Sequence, residues 1–121
     1  VFCVNIVEFA MRDMMNASSA ALARDVDEFA HAGINKVDAQ MIDCPRVADA
    51  PASLECRLVQ IVQLPGAANF TVFGEVVGVH MRDDTLVNGI FDVTTFSPLS
   101  RLGYRDYAKV EHPFSLSRPK E

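Results

Sequence analysis

The sequence lacks most of the patterns that announce a chemistry. It has no GxGxxG or Walker run, so neither a Rossmann nor a P-loop nucleotide site is indicated. It has no GxSxG elbow, so a Ser–His–Asp triad can be drawn from residue types but has no supporting spacing. His31, His80 and His112 stand far apart without HxH or HExxH spacing, and no metal site is expected from them. His31 reads as a surface or hydrogen-bonded structural residue. The cysteines are few and odd in number (Cys3, Cys44 and Cys56), with no CxxC, which argues against a disulfide framework or a structural zinc. They are expected to be reduced thiols in a cytoplasmic protein, Cys3 and Cys56 lying in the core without catalytic duty. Positive charge is scarce as well. Eleven Lys and Arg against sixteen Asp and Glu leave a net charge of −5, whereas nucleic acid and anionic membranes select a basic footprint. No apolar run reaches the length of a membrane span, and the opening residues do not read as a signal peptide.

What is present suits a mainly β domain with short helices. At 121 residues and 50% hydrophobic, the chain is long enough for one domain with a real core. "VFCVNIV" (1–7) reads as a buried strand without a local hairpin partner, so its partner must lie far along the chain, in other residues or in another subunit. From Glu8 to about Met15 the spacing suits a short helix with Phe9, Ala10, Met14 and Met15 on one side and Glu8, Arg12 and Asp13 in water. Asn16, Ser18 and Ser19 are expected to break it. "DVDEFAHAG" predicts a helix capped by Asp25 or Asp27 and ended by Gly33. A short strand is expected near "AQMI". "SLECRLVQIVQL" (53–64) and "NFTVFGEVVGVHM" (69–81), separated by "PGAA", predict a hairpin covered on both faces over much of its length. Gly74 and Gly78 within the second strand imply a bend, a bulge or the close approach of another group. Such curved strands suit a small barrel. "NG" at Asn88 and Gly89 predicts a tight turn, and "DVTTFSPL" a helical turn halted by Pro98.

Two stretches carry candidate site residues. "MNASSAA" sets the amide of Asn16, the hydroxyls of Ser18 and Ser19 and backbone N–H groups at a predicted junction between helices, where a carbonyl, ribityl or phosphate oxygen could be held. Ordinary helix capping explains the same composition. "RLGYRDY" offers fork-shaped donors in Arg101 and Arg105, a glycine at Gly103, and Tyr104 or Tyr107 to pack on a planar ring. A solvated strand end is its plain alternative. Glu55 and Glu75 lie on predicted strands with nothing to mark them as an acid/base pair, and Glu75 reads as a rim or interface charge.

The ordered set "FCVNIV", "MNASSA", "DVDEFAHAGI", "DCPRVADAPASLECRLVQIVQL", "FGEVVGVHM", "SPLSRLGYRDYAKV" and "FSLSRP" resembles the flavin reductase-like family, nearly from end to end of the chain. The resemblance implies a split β-barrel of the FMN-binding type, a homodimer with FMN near the subunit interface, and hydride transfer from NADH or NADPH to flavin, often for a partner monooxygenase. Members usually begin with further strands, so residues 1–121 are expected to form the larger, C-terminal part of a single flavin reductase-like domain. The resemblance places Asn16, Ala17, Ser18, Arg101, Gly103, Tyr104 and His80 against the flavin. It also accounts for the missing catalytic constellation, because the cofactor supplies the electronics and the protein orients the rings. The chain departs from the family at Tyr104, where a second glycine is frequent, and at "ALARD", which replaces a proline-rich approach to the "VDEF" helix. The alternatives are an FMN-binding electron-transfer or storage protein without reductase activity, and a flavin-free dimeric β-barrel interaction protein.

Overall fold

Apolar, β-branched stretches become strands, and the polar breaks between them become turns and short helices. The computed structural model describes residues 1–120. In chain order they form β1 (Phe2–Asn5), a 3-10 turn (Phe9–Met11) running into α1 (Arg12–Ser18), α2 (Glu28–Ala32), β2 (Lys36–Asp38), β3 (Pro45–Val47), β4 (Ala52–Gln63) and β5 (Phe70–Met81). After a 3-10 turn (Asp83–Thr85) come β6 (Leu86–Val87), β7 (Ile90–Phe91), another 3-10 turn (Val93–Thr95), β8 (Leu99–Arg101) and β9 (Tyr107–Lys109). No helix among the described residues is long and apolar enough to cross a membrane.

The centre is a three-stranded antiparallel sheet in the order β1-β4-β5. The first strand finds its partner far along the chain, with Phe2 opposite Cys56 and Asn5 opposite Ser53. Register shifts between Glu55 and Cys56 and between Leu58 and Gln60 bend the β4–β5 hairpin. The glycines of β5 serve close approach. A Cβ on Gly74 would lie 2.5 Å from Cζ of Phe2, and one on Gly78 would lie 3.2 Å from Cδ of Glu55. Contrary to expectation, only the β4 strand at the end near β1 is covered, and Val76 and Val79 of β5 are exposed even there. Leu58, Val59, Ile61, Phe70, Val72 and Phe73 are exposed, because none of the described residues packs on that half.

Other elements differ from the sequence expectation for local reasons. The helix does not stop at Asn16. The hydroxyl of Ser18 donates to the Met15 carbonyl at 2.6 Å, and that of Ser19 to the Asn16 carbonyl at 2.6 Å, so both serines bond back along the helix. The buried residue of the preceding turn is Met11, while Ala10 is exposed. Glu8 does not face water freely, since its Oε2 meets Nη2 of Arg82 at 2.8 Å. "AQMI" forms a bend, and the strands lie on either side of it as the β2–β3 pair. The second helix follows expectation, with Asp27 accepting from the Phe29 N–H at 2.9 Å and Gly33 left-handed at φ 68°. Asn88 and Gly89 both have positive φ and close the β6–β7 turn.

Candidate functional site

The 7–9 segment leaves the central sheet and bonds to 97–99, with Phe9 N–H to Ser97 O at 2.7 Å and Leu99 N–H to Val7 O at 2.9 Å. That junction sets α1 beside the β8–β9 hairpin and opens a cleft of about 310 Å³ between them. Phe9, Met15 and Leu99 supply apolar surface, and Asn16, Tyr107, Arg12, Arg105 and Lys109 supply polar groups. Asp13 is the one carboxylate in this lining, against three cations. The cleft is therefore locally basic in an acidic chain, and it suits an anion. The Phe9 ring organises two of the cations, with the Arg12 guanidinium 4.2 Å and Lys109 Nζ 4.6 Å from its centroid.

Arg101 and Tyr104 meet directly in the turn that follows β8. Arg101 donates from Nη1 to the Tyr107 hydroxyl at 2.5 Å and from Nη2 to the Tyr104 carbonyl at 2.9 Å, with its guanidinium 5.0 Å from the Tyr107 ring. It is thus engaged in holding its own hairpin. Leu102 N–H to Asp106 O and Asp106 N–H to Gly103 O complete the turn. Its left-handed residue is Tyr104, at φ 58°, and its side chain is 94% exposed. The departure from glycine noted in the sequence thus falls where the backbone favours glycine. Gly103 does not carry a positive φ, and a Cβ there would meet nothing within 4 Å.

Of the stretch 16–18, Asn16 faces the cleft, while Ala17 and Ser18 are half-buried in α1. The expected unpaired N–H groups are not there. Ser19 and Ala20 donate to the carbonyls of Asn16 and Ala17, because this stretch is a helix C-terminus. His80 lies apart from the cleft, in a depression lined by Arg46, Ala50 and Arg82. Its Nε2 contacts the carboxylate of Glu55. Glu55 is fully buried and also accepts from the N–H groups of Gln40, at 3.0 Å, and Met41, at 2.6 Å. The bond from His80, joined by those two N–H groups, holds the carboxyl down at about 2. This carboxylate ties the loop 39–44 to the sheet. Sequence reasoning missed that role, as it missed Phe9, Arg12 and Lys109 in the cleft. A charged residue inside the apolar run "SLECRLV" was the available signal for Glu55.

The comparisons with known proteins identify the family and the fold. The flavin reductase like domain model matches residues 1–100. The chain belongs to the flavin reductase-like family. A protein of Halalkalibacterium halodurans is 31% identical over 98% of this chain and 58% of its own length. Pseudomonas fluorescens 2-nitrobenzoate 2-nitroreductase has a similar structure, 28% identical, with a TM-score of 0.85 over 98% of this chain and 59% of that one. Nitrilotriacetate monooxygenase component B from Bacillus cereus is 25% identical, with a TM-score of 0.86 over 94% and 58%. A split-barrel protein of Shewanella frigidimarina, 21% identical with a TM-score of 0.80 over 97% and 60%, shares the fold. The mainly β flavin reductase split-barrel fold is therefore established, and the chain spans less than two thirds of the length of these relatives.

Proposed function

We propose that this chain is part of an FMN-dependent flavin reductase-type oxidoreductase using NADH or NADPH. A bound flavin would supply the hydride-accepting chemistry. The chain's own residues bind and orient it. One observation carries the reading: Asn16 from one stretch singled out in the sequence, and Arg105 and Tyr107 from the other, line one basic cleft. Its chemistry fits the anionic, hydroxylated arm of FMN. Arg12, Arg105 and Lys109 would hold phosphate oxygens, and the Asn16 amide a ribityl hydroxyl. Phe9, Leu99 and Tyr107 offer surface to the start of the ring system. Arg101 is assigned to fixing the turn through Tyr107 and Tyr104, with Gly103 keeping its outer surface open. His80, engaged with Glu55, is assigned to holding that carboxylate.

The family likeness to nitrilotriacetate monooxygenase component B supports a partner monooxygenase that consumes the reduced flavin. The exposed apolar half of the β4–β5 hairpin supports a homodimer. Quenching of FMN fluorescence by the purified chain tests the cofactor reading, with riboflavin as the phosphate-free control. FMN should bind more tightly than riboflavin, and Arg105→Ala should weaken FMN roughly tenfold, about 1.4 kcal/mol, while leaving riboflavin unchanged. A folded chain that binds neither flavin overturns the reading, as does an Arg105→Ala variant with full FMN affinity. Oxidation of NADH or NADPH in the presence of FMN then separates a reductase from an electron-transfer or storage protein.

A further inference from the structure

The cysteines, scattered in sequence, sort in the fold into a pair and a singleton. Cys3 on β1 stands opposite Glu55 on β4, so both side chains leave the sheet on the same face. The Glu55 carboxylate reaches the loop 39–44, where it accepts from Gln40 and Met41. Cys44 lies in that loop, which Ala39 N–H closes onto the Cys44 carbonyl at 3.1 Å. The Cys44 thiol donates to the Pro45 carbonyl at 3.4 Å, and the strand that follows Cys44 is held to β1 where Val47 N–H donates to Asn5 Oδ1 at 3.1 Å. Both thiols are half-buried, so small solutes can reach them. Cys56 is different. It follows Glu55, pairs with Phe2 and faces the opposite side of the sheet, buried against Phe2 and Gly74.

From this juxtaposition of β1 and the loop 39–44, we propose that Cys3 and Cys44 are a peroxide-responsive dithiol that closes to an intramolecular disulfide. The proposal is independent of the flavin reading. Burial, with Cys44 and Glu55 nearby, pushes the Cys3 thiol up to about 11. Cys3 therefore stays protonated at neutral pH and is the poorer first nucleophile. Cys44 attacks first. Having given its proton to solvent, its sulfur takes one oxygen of hydrogen peroxide, the O–O bond breaks, and the departing hydroxide is protonated to water. Cys44 is then a sulfenic acid. The Cys3 sulfur attacks the Cys44 sulfur, the S–O bond breaks, the S–S bond forms, and the proton of Cys3 leaves with the hydroxyl as a second water. Two thiols lose two hydrogens and two electrons, and one peroxide becomes two waters. A thiol reductant reverses the change. The product would tie the loop 39–44 directly to β1.

The test uses the full chain, reduced, desalted and exposed to hydrogen peroxide without denaturant. Thiols are then titrated in denaturant and peptides mapped by mass spectrometry. Titratable thiols should fall from the three of the reduced chain to one. A Cys3–Cys44 linked peptide should appear at a rate independent of protein concentration and vanish with dithiothreitol. Cys56→Ser should retain the link, and Cys44→Ser should lose it. Three persisting thiols, a link through Cys56, a link between chains only, or Cys44 oxidised to the sulfinic acid with Cys3 free would each overturn the proposal. The wild-type map decides even if a variant fails to fold.

Discussion

The two ends of β4 belong to one continuous strand and live in opposite surroundings. Near β1 and the loop 39–47, Ala52, Ser53, Glu55 and Cys56 are buried. Beyond Arg57, Val59 is 67% exposed, and Ile61, Phe70 and Phe73 share that condition. Hydrophobic character therefore does not decide which end is inside; a covering element does. The covered end is also the more polar of the two. Its fixed points are a carboxylate with three donors, and the Asn5 Oδ1 that accepts from Val47 N–H at 3.1 Å and from the Ser53 hydroxyl at 2.8 Å. Such satisfied groups specify one register, because a slip would strand them unpaired.

The largest loss is expected from Glu55→Ala, which leaves the N–H groups of Gln40 and Met41 and the His80 ring without their acceptor. Its urea midpoint should fall furthest of any variant named here, and a midpoint equal to wild type would show that the covered end is held by packing alone. The same carboxylate sets an acid limit. Its folded value, about 2, lies below its ordinary 4.5, so the unfolded chain takes up the proton first. The contribution is complete above about 4.5 and is lost as pH falls towards 2. A urea series across that range should show a slope that Glu55→Ala flattens.

Gly74→Ala comes next, since its Cβ would fall 2.5 Å from the Phe2 ring and 3.2 Å from Cβ of Cys56. Chemical denaturation should show a loss of about 1–3 kcal/mol. Gly78→Ala should cost less, because its nearest neighbour is the Glu55 side chain at 3.2 Å. At the open end, Val59→Thr should change stability by less than about 0.5 kcal/mol at low protein concentration. A loss that grows with protein concentration would mean that a second copy covers this half, and the contrast between the two ends would then belong to the isolated chain only.

The hairpin, the Asp27-capped helix and the Asn88–Gly89 turn were legible because each is written in contiguous residues. β2 and β3 were not. Both are short, β2 is exposed and β3 half-buried, and β3 is held partly by a side chain from β1. The helix through Asn16 and Ser18 was misjudged because a serine signals a break as readily as a bond back to its own helix. The cleft was half legible. Its aromatic and basic wall stands out in "RLGYRDY", whereas Phe9, Arg12 and Lys109 gain their meaning only when the 7–9 segment bonds to 97–99. Glu55 escaped because its donors come from a loop and from the opposite strand, neither adjacent in sequence.

The Asn5 bridge has a consequence for the order in which the molecule assembles. β4 and β5 are neighbours in the chain and can zip together as soon as both exist, which is the rapid kind of contact. β1 is synthesised well before β4, and its ladder partners among the described residues lie on β4, so that ladder waits until Cys56 has been added. When it docks, one amide oxygen engages Val47 and Ser53 together. The β1–β4 ladder therefore closes well after β1 itself is made, and a ribosome paused between the two strands would hold that ladder open.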